Sequence, residues 1–148
     1  MSYTRETARD ALASLLSTAL VGAGKSAQAF YGYPVADFQQ QSPVVVLCSA
    51  GSERLMGTMA TRRQSVLHFD IISFTLYADA ASNWSEADAE DKLDAIESVV
   101  DDTIQANLVT DDWADIGYDG KSSTGNVTIG GEQYRYEVIP ITVTVYHD

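Results

Sequence analysis

Apolar residues recur at spacings of three and four between Ser85 and Leu108. Ala89, Leu93, Ile96, Val100, Ile104 and Leu108 fall on one stripe. The spacing predicts a helix over about 85–108 with that stripe buried and carboxylates on its outer face. Ser85 is placed to cap it, and Glu86 and Asp88 lie in the first turn, where negative charge suits the helix dipole. Just upstream the period changes. Val66 to Ala78 reads Val-Leu-His-Phe-Asp-Ile-Ile-Ser-Phe-Thr-Leu-Tyr-Ala, a run rich in β-branched and aromatic residues that predicts a long strand. It is too short and too strand-like for a membrane span. Asp79 to Trp84 breaks the two apart. An apolar stripe needs a covering surface, and the adjoining sheet supplies one.

The same reading extends in both directions. Thr4 to Val21 predicts a first helix, with Ala8, Leu12, Leu15, Leu16, Ala19 and Leu20 on one side and Arg5, Glu6, Arg9 and Asp10 mostly on the other. Gly22 and Gly24 are its stop signals. A short strand is expected at Gln28–Tyr33, ended by Pro34, and a buried strand at Val44–Ser49. Gly51 to Ser65 is polar and joins two strand-like runs, as a long connection or an extended hairpin tip. Ile116–Tyr118 is expected as a short strand and Asp119–Gly125 as a flexible turn. From Gln133 to Tyr146, Ile139, Ile141, Val143 and Val145 alternate with Val138, Pro140, Thr142 and Thr144, which predicts a last strand with the first set facing the core. Pro140 cannot donate to a ladder, so that strand is expected at an edge or bulged there. Helix, strands, helix, strands gives one α+β domain over residues 1–148.

Composition narrows the function. A formal charge of −12 argues against sequence-independent nucleic-acid binding, which needs clustered Lys and Arg. It favours solubility, so any assembly must overcome self-repulsion by specific contacts. The single cysteine, Cys48, allows no intrachain disulfide and fits a reducing cytosol. The first residues carry no signal-peptide pattern, and no apolar stretch reaches the roughly 20 residues of a membrane helix, so a soluble cytoplasmic protein is expected.

Candidate chemistry is sparse. Ala19-Leu-Val-Gly-Ala-Gly-Lys25-Ser26 fits a loosened phosphate-loop pattern, but a helix precedes it where a buried strand is needed, and no helix is predicted after it. Cys48 with His68 or His147 lacks the orienting third group of a catalytic dyad. The carboxylates from Glu86 to Asp102, and Asp111, Asp112, Asp115 and Asp119 after them, match no calcium-loop spacing and read as a solvated face. Arg54, Arg62 and Arg63 are a third of all nine basic residues. They read either as solubility on a hairpin tip or as an interface that pairs with a neighbour's acidic residues.

One family pattern does emerge. Phe69-Asp-Ile-Ile-Ser-Phe-Thr-Leu-Tyr-Ala78 precedes Trp84-Ser-Glu-Ala-Asp-Ala-Glu-Asp-Lys-Leu-Asp-Ala-Ile-Glu97. Then come Trp113-Ala-Asp-Ile-Gly-Tyr118 and Gly131-Glu-Gln-Tyr-Arg-Tyr-Glu-Val-Ile-Pro-Ile-Thr-Val-Thr-Val145. This resembles the tail terminator proteins of long-tailed bacteriophages, over most of the chain. The resemblance implies a mixed, mostly antiparallel sheet with the N-terminal helix and the long acidic helix packed on one face. It implies a ring, commonly of six copies, that caps the tail tube, ends tail polymerisation and offers a surface for head attachment. Its partners would be further copies of itself, the tail tube protein and the head–tail connector protein, with DNA passing through without specific binding and no membrane involved. It implies no enzyme activity, cofactor or metal, and a place in the virion neck after assembly in the host cytoplasm. The alternative is another neck component, a head–tail connector or tail completion protein. In such a ring Arg54, Arg62 and Arg63 are expected at the subunit interface. Glu97, Asp101, Asp111 and Asp112 are expected to line the channel, where they would repel DNA phosphates.

Overall fold

The computed structural model describes residues 4–39, 41–55, 63–77 and 85–147, with backbone alone at 55, 63 and 147. Helix α1 spans Arg5–Leu20. Strands β1 (Ala29–Tyr31), β2 (Val44–Leu55) and β3 (Arg63–Leu76) follow. Helix α2 (Glu86–Ala106) then precedes β4 (Asp115–Tyr118), β5 (Ser123–Ile129) and β6 (Glu132–His147). The fold is α+β, with a mixed and mostly antiparallel sheet.

Each helix starts where local chemistry satisfies its first amides. The Thr4 hydroxyl accepts from the Thr7 N–H at 3.1 Å. At α2 the Ser85 N–H donates to the Asp88 carboxylate at 2.7 Å, half of a capping box. The α1 stripe of Ala8, Leu12, Leu16 and Leu20 and the α2 stripe of Ala89, Leu93, Ile96, Val100 and Ile104 are buried. Leu108, expected on the second stripe, is 42% exposed, because α2 ends at Ala106 and the chain turns away.

The sheet order is β1-β2-β3-β6-β4, with β5 also on β6. Only β1 and β2 run parallel; the other pairs are antiparallel. β4 and β5 share the side of β6 away from β3. β5 pairs with Glu132–Val138 and β4 with Ile141–Thr144. Both helices cover one face, where Val45, Leu47, Phe69, Ile71, Ile139, Ile141, Val143 and Val145 meet the two stripes. The other face is covered at one end by Val35 and Phe38, from between β1 and β2, and Phe38 packs on Phe74 and Tyr134.

Of the two readings of Gly51–Ser65, the hairpin holds: β2 continues to Leu55 and β3 begins at Arg63, antiparallel to it. Two further expectations are corrected. The turn expected over Asp119–Gly125 is shorter, since β5 begins at Ser123. It returns to β6 through Gly130 and Gly131, whose φ values of 59° and 83° suit a two-residue hairpin turn. Finally, β6 is an interior strand despite Pro140. The Pro140 carbonyl accepts from the Asp119 N–H at 2.9 Å, so the missing donor points to that same side. There β5 has ended and β4 is only beginning, and β3 loses nothing.

Candidate functional site

The two lateral edges of the sheet are the most distinctive surfaces of this chain. β1 pairs only with Val44–Val46, so among the described residues no strand lies on the outer side of β2 from Leu47 to Leu55. On the opposite side, among the described residues β4 pairs with β6 alone. A register shift between Ser49 and Gly51 bulges β2 near its middle. Beyond it Gly51-Ser-Glu-Arg-Leu55 continues as regular strand against β3, with Arg54 exposed. Arg54 pairs with the buried Ser65, which puts it on the helix side of the sheet. Arg63 opens β3 and pairs with His147 of β6, and Arg62 lies outside the described residues.

The β4 edge carries the opposite charge. The Tyr118 hydroxyl donates to the Asp101 carboxylate, which ties β4 to α2. Burial raises the Tyr118 pKa well above the ordinary phenol value, and the bond to Asp101 and the nearby Glu97 add to the shift. A cavity of about 310 Å³ opens here, lined by Glu97, Asp101, Tyr118, Ser122 and Pro140. Ser122 donates to Glu137 at 3.0 Å. The Glu137 carboxyl is raised by burial and then by Glu97, Asp94 and Glu90, while the Ser122 bond partly opposes this. Arg135 neutralises Glu90 at 2.6 Å and reaches Asn126 and Thr124 on β5 at 3.4 Å each. Asp111 is exposed and Asp112 half-buried in the turn before β4, where Trp113 is buried and its indole N–H donates to the Asn107 carbonyl at 2.9 Å. Thus Glu97 and Asp101 lie beside Tyr118 of β4, Asp111 and Asp112 lie in the turn that leads into β4, and Arg54 stands on the β2 edge.

The catalytic and nucleotide readings find no support in this geometry. His68 lies between two carboxylates, with Nδ1 3.2 Å from Asp119 and Nε2 3.5 Å from Glu53. It therefore links β2, β3 and the turn after β4. The Cys48 thiol is pushed up by burial and by Asp70, away from the thiolate a nucleophile needs. Lys25 follows a helix and leads to β1, the reverse of a phosphate loop. Among the described residues no group of three or more His, Cys, Asp or Glu is placed to hold a metal ion, and no helix is long and apolar enough to cross a membrane.

No family model matches the chain, and no curated protein matches it. Among solved structures, it is similar to a chain from the virion of a native gene transfer agent particle. The identity is 15%, the TM-score 0.44, and the likeness covers 90% of this chain and 83% of that one. A likeness of that degree says nothing about function.

Proposed function

We propose that this chain is a structural assembly protein that works as a closed ring of copies, the tail terminator of a long-tailed phage. The observation that carries the ring is the separation of charge between the open sheet edges. Arg54 lies on β2 and Arg63 opens β3, with Arg62 beside it in the sequence, while Glu97 and Asp101 line the cavity by Tyr118 and Asp111 and Asp112 lead into β4. Such a surface repels itself across a two-fold axis and attracts when copies stand head to tail, and head-to-tail contacts close into rings. The terminator role itself comes from the sequence resemblance. The net charge of −12 per copy fits a collar that lets DNA through without holding it. Carboxylates of the β4 side that the subunit contact leaves free would face the channel.

Solution size and electron microscopy test this reading. The purified protein should form a ring of defined copy number. Particles assembled without it should carry abnormally long tails. Normal tails unattached to heads would instead mark a connector, and a monomer at all concentrations would remove the ring altogether.

A further inference from the structure

Beyond the β5 end of the molecule, the described residues form a sheet four strands wide with no strand on either outer side. Through the pairings of β6 and β3, Asp115 stands level with Glu53, Ile116 with Ser52 and Gly117 with Gly51. The open edge of β4 is therefore at the same height as the part of the β2 edge that follows the bulge. Direction matters as much as height. β2 opposes β3, β3 opposes β6 and β6 opposes β4, so β2 and β4 run in opposite senses. Copies related by rotation about a ring axis then bring β4 beside the next β2 already antiparallel, with neither turned over. Exposed backbone on two such edges is a template for pairing, and a closed sheet removes both edges at once.

We infer that β4 of one copy pairs with the Gly51–Leu55 edge of β2 in the next, so that the ring is held by one sheet continuous through every subunit. The inference rests on the ring reading above. Charge fixes the register. With rungs level, Asp115 would face Glu53, a repulsive cross-strand pair. A stagger of two residues instead sets Glu53 opposite Gly117 and Asp115 opposite Leu55. Closing a sheet requires a stagger of this kind. The same shift places Arg54 opposite Ile116 on the helix side, beside the Tyr118–Asp101 pair and its carboxylate-lined cavity. Gly117 suits the contact, because a Cβ there would meet nothing within 4 Å.

Disulfide trapping in the full chain tests the register. On a Cys48→Ser background, Glu53→Cys is combined with Gly117→Cys, and the protein is mildly oxidised after its size in solution is measured. The expected result is a ladder of disulfide-linked chains ending at the size of the ring. The control pairs Gly117→Cys with Ser52→Cys, on the other side of the sheet, and should give at least tenfold less cross-linking. Rings that form without the Glu53–Gly117 cross-link, or with equal cross-linking in the control, overturn the strand pairing and leave the ring reading standing. If the uncross-linked protein, native at Glu53 and Gly117, forms no ring, both readings fall.

Discussion

Thr75 and Ser73 lie fully buried on the helix side of β3, and neither hydroxyl has a hydrogen-bond partner. A hydroxyl buried without a bond costs about 1–3 kcal/mol in proteins. Thr75→Val keeps the branched shape and removes the stranded donor, so it should stabilise the fold by about 1 kcal/mol. Urea unfolding of the two proteins checks this, and a loss of stability would mean that the hydroxyl is bonded. Glu137 carries the same cost in ionic form. Its folded pKa is raised above the ordinary 4.5, so the folded state holds a proton that the unfolded chain has already released. The carboxyl therefore lowers stability progressively as pH rises from its unfolded pKa through its raised folded value. Glu137→Gln retains an acceptor for Ser122 and lacks the charge. It should be more stable than the native chain at neutral pH, and that advantage should disappear below the carboxylate range. A mutant less stable at pH 7 would count against burial and the Glu97, Asp94 and Glu90 charges as the cause.

At the scale of the element, the first turn of α2 has the opposite pH dependence. Asp88 accepts from the Ser85 N–H and hydroxyl, and these bonds hold its carboxyl below the usual value of 3.8. A depressed carboxylate contributes stability that is present above its unfolded pKa and is lost as pH falls through the folded one. Asp88→Ala should lower the Tm at neutral pH, and the difference should shrink under acid. A Tm gap that persists at pH 2 would assign the effect to packing. This cap was legible in the sequence, and so were both helices and five of the six strands, because burial on one face writes a period into the chain. β5 was not. Ser123-Thr-Gly-Asn-Val-Thr-Ile129 is half exposed and polar, and only Val127 and Ile129 pack on the second cluster. Its signal is the Gly130-Gly131 pair, a hairpin turn by type, and a turn without dense apolar flanks does not by itself mark a strand. Leu108 misled because periodicity cannot see where a helix stops. The candidate surfaces were half legible. Arg54 could be singled out by composition, but its position across the sheet from Asp101 and Tyr118 follows from strand order, which no local pattern encodes.

For the whole molecule, assembly must work against a charge of −12 on every copy. Two electrostatic effects compete. Long-range repulsion between copies acts over distances that salt screens, with a Debye length of about 8 Å at 0.15 M. Contacts between the arginines and the β4-side carboxylates act at a few ångströms and are screened less. Raising salt from near zero to about 0.15 M should therefore increase the assembled fraction, because it removes more repulsion than attraction. Charge reversal separates the two effects. Arg54→Glu with Arg62→Glu changes two charges by two units each and takes the formal charge from −12 to −16. Arg9→Glu with Lys25→Glu reaches the same −16 from sites on α1 and the turn after it, outside the two strands that would pair. If local pairing sets the contact, the first double variant should stay monomeric at concentrations where the second still forms rings. Sedimentation of both at equal salt reads the difference directly. Equal loss of assembly in the two would mean that total charge alone governs association, and the arginines would then have no place in the interface.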